Sequence, residues 1–366
     1  MSEPAVVDVH NHSVPGQFVE QVRREGSRYG FSVTRLAAAR DDSSTIRTSN
    51  DDVLVTTTDG GSVDVGPQKA DEETRQAEML AAGIDLRLQT ISPGMLNYGA
   101  GERAAEWGAR NLNDALAGCM RAFPEHISAM ATVPLQFPAM AARELERVVS
   151  EHGMRSVMIG TNVNGENLDR PNFAPFWEAA EGLGVLVFIH PKYQVGMYRM
   201  SRYHLANLIG NPLETTIAAA SLIFGGVLGR YPNLKIVLAH SGGFTPWICG
   251  RWRHGFDARG QEARAHGATE SFDTYFDRLY FDTLIHDGPA LRWLIERVGP
   301  DRIMLGTDYP ATMGNWDQAG EIRKLDALTA EEKAKILSGN ARRLLTAGGS
   351  TPGQDGASAT PAASST

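Results

Sequence analysis

Cysteine is scarce in this sequence and long apolar runs are missing, and both facts narrow the class of protein. Cys119 and Cys249 are the only cysteines among 366 residues, and neither stands at the spacing of a metal finger or a redox motif. We therefore expect two reduced thiols that act as small apolar side chains. No stretch reaches the roughly 18 consecutive apolar residues of a membrane-spanning helix, and the chain does not open with a basic segment followed by an apolar core. The sequence predicts a soluble, cytoplasmic protein.

Positive charge is also in deficit. The 35 lysines and arginines are outnumbered by 43 aspartates and glutamates, which gives a formal net charge of −8. A dedicated nucleic-acid binder usually carries a basic stripe, and none is visible here. Hydrophobic residues make up 42% and charged residues 21% of the chain, the composition of an ordinary globular protein. We therefore expect a small-molecule partner, and neither a nucleic acid nor a membrane.

From residue 71 onward, short apolar runs alternate with longer amphipathic stretches, including helix candidates near 71–83, 102–122 and 138–152. This alternation predicts βαβ units, in which helices connect parallel strands. With the first run, VVDVHNH, there are eight strand candidates, which predict a (β/α)8 TIM barrel closed by the helix TAEEKAKILSGNARRLL. The other seven strand candidates are IDLRLQTISP, ISAMATVPL, SVMIGTNV, VLVFIHP, KIVLAHSGG, LYFDTLIHD and RIMLGTDYP.

Two segments depart from this alternation. Residues 13–68 contain alternating β-type residues around the Asp59-Gly60-Gly61 turn, a pattern that predicts a hairpin rather than a helix. We place it as a small β insertion after strand 1, over the barrel mouth. Residues 347–366 are rich in Gly, Ser, Thr, Pro and Ala, which predicts a disordered C-terminal tail. The expected organisation is therefore one barrel domain over residues 1–346, followed by the tail.

Side chains that can bind a metal follow several of the predicted strands at their carboxyl ends. His10 and His12 stand two apart on strand 1 and so point the same way, while His190, His240 and Asp308 follow strands 5, 6 and 8. A lone histidine after a strand is more often a structural residue. Five such groups at the end of the barrel where active sites form instead predict a metal site.

The motifs DVHNH, FIHP, LAHSGGFTPWICGR, DRIMLGTDYP and ILSGNARRLL, in this order, carry a family resemblance. Over about residues 5–345 the chain resembles the amidohydrolase superfamily, in the branch of 2-amino-3-carboxymuconate 6-semialdehyde decarboxylase and its relatives. The resemblance implies one divalent ion, with His240 just beyond it as an acid/base group. The implied metal ligands are His10, His12, His190 and Asp308.

Two features of the sequence indicate the identity of the metal and the number of ions per chain: the types of the ligand residues and the region of strand 4. Three imidazoles and one carboxylate, with room for water, suit catalytic Zn²⁺ better than Mg²⁺ or Ca²⁺, and Mn²⁺ stays possible. Binuclear members of the superfamily have a bridging lysine after strand 4, but RSVMIGTNV contains none. We expect one ion per chain and no organic cofactor.

The same resemblance bears on substrate binding. Arg251 matches a family arginine that reaches the site of a neighbouring subunit and binds a substrate carboxylate, which implies a homodimer or higher homo-oligomer. Tyr203 stands at the place of a tryptophan that lines the family pocket. Val63 stands where the family decarboxylase has an arginine, and Lys69 is the nearest basic residue. Asp282, at strand 7, is either a group behind the metal ligands or an ordinary loop residue, and we favour the second interpretation.

The resemblance, together with the expected metal site, implies a metal-dependent, non-oxidative decarboxylase of a small unsaturated or aromatic carboxylic acid. Metal-bound water, with its pKa lowered to about 7, and His240 as the acid/base group would carry the reaction. A second route stays open, in which the metal binds the substrate oxygens and Asp308 donates the proton. The alternative function is a hydrolase of a lactone, amide or other C–N or C–O bond on the same scaffold. The scattered ligands and the acidic charge disfavour a nuclease, and the complete ligand set disfavours a metal-free binding protein.

Overall fold

The computed structural model describes residues 6–35, 52–265 and 267–346, so the predicted tail lies outside the described residues. The strands, in chain order, are β1 (Val7–Ser13), β2 (Ser32–Arg35), β3 (Val53–Thr56), β4 (Ser62–Val65), β5 (Leu86–Ile91), β6 (Ile127–Thr132), β7 (Ser156–Gly160), β8 (Asn162–Val163), β9 (Glu166–Asn167), β10 (Leu186–His190), β11 (Lys235–Leu238), β12 (Leu279–Asp282) and β13 (Ile303–Met304).

Eight of these strands form one parallel sheet, in the order β1-β5-β6-β7-β10-β11-β12-β13. The sheet closes on itself where the segment after β13 meets β1. There the amide of Val9 donates to the carbonyl of Leu305 over 2.9 Å, and the amide of His12 donates to the carbonyl of Tyr309 over 2.7 Å. All eight predicted barrel strands are present, and the predicted TIM barrel is confirmed.

Helices follow the barrel strands and cover the outside of the sheet. The helix predicted near residue 71 begins after Asp71, whose side chain accepts a hydrogen bond from the amide of Glu73. The α-helices are α1 (Gly16–Glu25), α2 (Pro67–Ala70), α3 (Glu72–Ala81), α4 (Glu102–Ala122), α5 (Pro138–His152), α6 (Ala174–Leu183), α7 (Asn211–Phe224), α8 (Val227–Arg230), α9 (Thr245–Arg259), α10 (Phe272–Phe276), α11 (Gly288–Val298), α12 (Gln318–Lys324), α13 (Ala330–Ala334) and α14 (Asn340–Thr346).

Of the segment 13–68 the structure describes residues 13–35 and 52–68, which contain a helix as well as β strands. β2, β3 and β4 form an antiparallel three-stranded sheet, and the tip of the β3–β4 hairpin is tied to the barrel because the hydroxyl of Tyr193 donates to Asp59 over 2.6 Å. Helix α1 precedes this sheet and was not predicted. It buries Phe18, Val19 and Val22, which lie on one face at helical spacing. The helical pattern of this ten-residue segment is short, and the alternating β pattern further along the chain is stronger.

The core fills the barrel and the layer between the barrel and its helices. Strands β7 and β10 are buried over their full length, as expected for parallel strands covered on both faces. Cys119 and Cys249 are both free and buried, as predicted. Over the parts of the chain that the structure describes, there is no helix with the length and apolar character needed to cross a membrane.

Candidate metal centre

Four side chains from three barrel strands converge at the carboxyl end of the barrel. His10 and His12 lie on β1, His190 is the last residue of β10, and Asp308 follows β13. One ligand atom from each of the four lies within 4.8 Å of the others, and all four residues are buried. The structure therefore contains a metal site, and it is formed by the four residues that the sequence predicted as ligands.

Each imidazole of this site is fixed by a hydrogen bond at Nδ1. His10 Nδ1 lies 2.7 Å from a carboxylate oxygen of Asp282, His12 Nδ1 lies 3.1 Å from the carbonyl of Ile91, and His190 Nδ1 lies 3.0 Å from the carbonyl of Pro191. Since these oxygens can only accept, each Nδ1 carries the proton. The Nε2 atoms consequently face the centre, where none of the three has a hydrogen-bond partner. Buried imidazole nitrogens of this kind, once free of a proton, fit a divalent ion.

Asp308 supplies the negative charge of the site. Its Oδ1 lies 3.0 Å from His12 Nε2 and 3.4 Å from His10 Nε2. Burial by itself would raise the pKa of this carboxyl, but the charge on His10 and the imidazoles of His10, His12 and His240 beside the carboxylate outweigh it and hold the pKa well below its usual range. Asp308 is therefore ionised, which is the form that binds a metal.

The imidazoles differ in how readily they ionise. Burial lowers the pKa of His12, and burial together with the neighbouring imidazoles lowers that of His190 well below its usual range. Burial also opposes the charged form of His10, but the carboxylates of Asp308 and Asp282 outweigh it and raise its pKa to about 10. Burial thus favours the neutral form of His12 and His190, and an ion held by His10 would have to replace one proton there.

His240 lies beside the four ligands and is not one of them. Its Nε2 is 3.8 Å from Oδ2 of Asp308, the carboxylate oxygen turned away from His10 and His12. Its Nδ1 is buried and has no hydrogen-bond partner. His240 and Asp308 both have positive φ angles, of 54° and 56°, a region that non-glycine residues seldom occupy and that is frequent at active sites.

Asp282 lies behind the ligands, and the interpretation of it as an ordinary loop residue is wrong. Its carboxylate accepts from Nδ1 of His10, from the amide of His240 over 2.9 Å and from the amide of Ser241 over 2.6 Å. One buried carboxylate thus orients both a metal ligand and the residue beside the metal. The sequence signal was present, because Asp282 ends a barrel strand as the ligands do, but no spacing rule connects it to His10.

We expect Asp282→Asn to weaken metal binding by about 10-fold to 100-fold, because the amide cannot hold His10 as the carboxylate does. Metal affinity measured by competition with a chromophoric chelator checks this. The exposed Asp326→Asn variant is the matched control and is expected to keep wild-type affinity. An unchanged affinity in Asp282→Asn would contradict the role given to this carboxylate.

A cavity of about 1170 Å³ opens above the metal site. His12, His190, His240 and Asp308 lie at its floor, and residues of β4 form part of its wall. Its remaining lining residues include Lys69, Ser92, Lys192, Tyr193, His204, Asn207 and Asn211. The cavity is large enough for a small aromatic acid and has polar groups on several sides.

The two predicted substrate-binding residues do not line this cavity. Arg251 is exposed on α9 and is not among the residues that line the cavity of its own chain. Tyr203 is 73% exposed, although its neighbour His204 lines the cavity. The predicted roles of Arg251 and Tyr203 stay predictions, because the first depends on a neighbouring subunit.

Comparison with known proteins identifies the family. The family model described as Amidohydrolase matches residues 7–346. The chain belongs to the amidohydrolase family. This family member is 36% identical over 275 residues to 2-amino-3-carboxymuconate-6-semialdehyde decarboxylase of Dictyostelium discoideum, with 75% of this chain and 76% of the relative covered. The predicted superfamily and its decarboxylase branch are confirmed.

Solved structures of other decarboxylases share the fold of this amidohydrolase. 5-Carboxyvanillate decarboxylase from Sphingomonas paucimobilis matches with a TM-score of 0.75 at 26% identity, over 93% of this chain and 98% of the other. Dihydroxybenzoic acid decarboxylase from Polaromonas sp. JS666, solved with bound manganese, matches with a TM-score of 0.70 at 22% identity, over 93% and 96% of the two chains. The second match, at this identity, concerns the fold alone.

Proposed function

We propose that this amidohydrolase is a metal-dependent, non-oxidative decarboxylase of a small unsaturated or aromatic carboxylic acid. The observation that carries the proposal is the convergence of three buried imidazole Nε2 atoms and the Asp308 carboxylate at the floor of a cavity, with His240 beside them. The named relatives support it, since each of them is a decarboxylase of a carboxylate with an unsaturated or aromatic skeleton.

His10, His12, His190 and Asp308 would hold the ion, and we propose Zn²⁺ for it on the donor set, with Mn²⁺ as the other candidate. A divalent ion at this site supplies a Lewis acid and lowers the pKa of water toward neutrality. Side chains of the protein would supply the rest of the chemistry, including the proton transfer. Decarboxylation needs a proton at the carbon that loses its carboxyl group, and we assign the transfer of that proton to His240.

Two properties favour His240 over Asp308 as the proton carrier. Asp308 is held in its ionised form by the surrounding imidazoles, so it has no proton to give. His240 lines the cavity, and its Nε2 lies 3.8 Å from Oδ2 of Asp308, so this imidazole is placed to exchange a proton with a substrate beside the metal ligands. The backbone of His240 is fixed by Asp282, which keeps the imidazole in place during the transfer.

We also propose that the working unit is a homodimer or a higher homo-oligomer in which Arg251 reaches the neighbouring site. The exposed position of Arg251 on α9 is compatible with this role, and a guanidinium suits a carboxylate because it donates two parallel hydrogen bonds. Mixing Arg251→Ala and His240→Ala chains tests it. A shared site would restore part of the activity in the mixture, whereas independent sites would not.

Metal analysis of the purified protein, followed by a CO2-release assay, tests the proposed function. We expect about one zinc or manganese per chain, and CO2 from at least one member of a panel of carboxymuconate semialdehydes and hydroxybenzoates. One ion per chain without CO2 release would favour the hydrolase alternative, which esters, lactones and amides of the same acids would then reveal. Absence of a bound ion after loading with zinc or manganese would contradict the assignment of the ligands.

A further inference from the structure

Two lysines line the cavity apart from the metal centre. Lys69 belongs to α2 and is 8% exposed, while Lys192 follows β10 by two residues and is half-buried. Both lysines line the cavity that holds the metal ligands, and the metal chemistry proposed above uses neither of them.

The two amines approach the same corner of the cavity. Nζ of Lys69 donates to the carbonyl of Asp64 in β4 over 2.9 Å, and Nζ of Lys192 donates to the carbonyl of Gly94 over 3.1 Å. Gly94 packs directly on β4, since a Cβ at this position would lie 2.5 Å from a methyl group of Val63. The lysine beside β1 and the lysine beside β10 therefore converge on the hairpin side of the cavity.

The backbone that carries Lys192 is held in place by buried polar groups. Asn162 Nδ2 donates to the carbonyl of Lys192 over 3.0 Å and to Glu214 over 2.9 Å. Glu214 also accepts from the amide of Val195 over 2.7 Å, so one buried carboxylate fixes both ends of the turn. On the other side, the carbonyl of Lys69 accepts from the amide of Val14 over 3.0 Å. Both lysines thus stand on a preorganised frame.

Charge favours an anion at this corner. Apart from the metal ligand Asp308, the charged side chains that line the cavity among the described residues are Lys69, Lys192 and Asp64, an excess of one positive charge. Burial lowers the pKa of Lys69 to about 8, so most of this amine stays protonated at neutral pH. A divalent ion at the metal centre adds to the positive potential of the cavity.

We propose that Lys69 and Lys192 form an anion subsite that binds a second acidic group of the substrate, at the hairpin side of the cavity. This inference rests on the proposed function, because it takes the cavity as the place of the substrate. It narrows the substrate class to acids that carry one anionic group for the metal side and another for the lysines. Lys69 and Lys192 are then specificity-determining residues.

Binding of non-reactive acids to the metal-loaded protein tests the subsite. Isophthalate and terephthalate carry two carboxylates at different spacings, and benzoate carries one. Titration calorimetry at constant ionic strength is expected to show that at least one of the two diacids binds tighter than benzoate. Lys69→Met and Lys192→Met are each expected to reduce that preference about tenfold, the effect of losing one charge-assisted hydrogen bond.

Three controls separate binding from folding. Lys69→Arg keeps the charge and is expected to keep most of the preference for the diacid. The exposed Lys324→Met removes a lysine far from the cavity and is expected to leave the preference unchanged. Thermal unfolding of each variant shows whether it is folded, and if Lys69→Met does not fold, Lys192→Met decides the outcome. Equal binding of benzoate and both diacids, or a preference that survives Lys192→Met, would overturn the subsite.

The same experiment separates this inference from the proposed function. A lysine-dependent preference for diacids in a protein that releases no CO2 would keep the subsite and reject decarboxylation. CO2 release from an acid with a single carboxylate, at a rate that neither lysine affects, would keep decarboxylation and reject the subsite. Repeating the titration with metal-free protein removes the ion's contribution, and the lysine-dependent part of the preference is expected to persist.

Discussion

His240→Ala is expected to keep about one metal ion per chain and to lose about 10²-fold to 10⁴-fold in kcat, the usual contribution of a positioned acid/base group. The four ligands do not include His240, whose Nε2 is 3.8 Å from the outer carboxylate oxygen of Asp308. The ligand set therefore stays complete in the variant. What is lost is the imidazole that stands beside the ligand set at the cavity floor.

Metal content by mass spectrometry and steady-state kinetics of CO2 release are measured on the same sample of this variant. His254→Ala, which removes an exposed histidine on α9, is the matched control and is expected to match the wild type in both measurements. Partial recovery of His240→Ala by added imidazole would support proton transfer directly. Loss of the ion in His240→Ala would mean that this residue is a ligand and that the site has been assigned wrongly.

Removal of the ion by a chelator is expected to abolish turnover and to destabilise the fold. Turnover falls because the remaining side chains cannot replace the Lewis acid. Stability falls because an ion that binds only the folded chain contributes about 4 kcal/mol when its free concentration is about 1,000 times its Kd. Without it, three buried Nε2 atoms lack a partner.

Thermal unfolding with and without a chelator, followed by return of zinc or manganese, checks this expectation. Both activity and unfolding temperature should recover after the metal is returned. His190→Ala is the matched variant: it should begin with little metal and show the same unfolding temperature with and without the chelator. A wild-type protein whose turnover and unfolding temperature do not respond to metal removal would contradict a catalytic metal site.

Most of the barrel could be predicted from the sequence because short apolar runs alternate with amphipathic helices. The ends of these runs indicated five groups that can bind a metal, His10, His12, His190, His240 and Asp308, and the family resemblance separated the four ligands from His240. Helix α1 could not be predicted, because its pattern is brief and lies beside a stronger β signal. The place of the site thus follows from a rule about strand ends, whereas α1 depends on packing that only the folded chain provides.

Residues that act through other residues were harder to find. Asp282 became recognisable only when its carboxylate was seen to contact His10 and His240, which lie far from it in the sequence. Lys69 was visible as the nearest basic residue, but its partner Lys192 was not, because nothing in the sequence indicates that the segment after β10 turns toward Gly94.

The barrel closes between β1 and the segment after β13, and these two segments carry His10, His12 and Asp308 of the metal centre. His10 is among the first residues of the barrel, and the carbonyl of His10 accepts the amide of Asp308 over 2.7 Å, although 298 residues separate them. During synthesis, His10 and His12 are therefore made long before Asp308, the last of the four ligands in the sequence. A nascent or truncated chain that ends before residue 308 holds an incomplete ligand set. The complete ligand set can therefore form only after residue 308 has been synthesised, and chains that end earlier would lack the ion's contribution to stability.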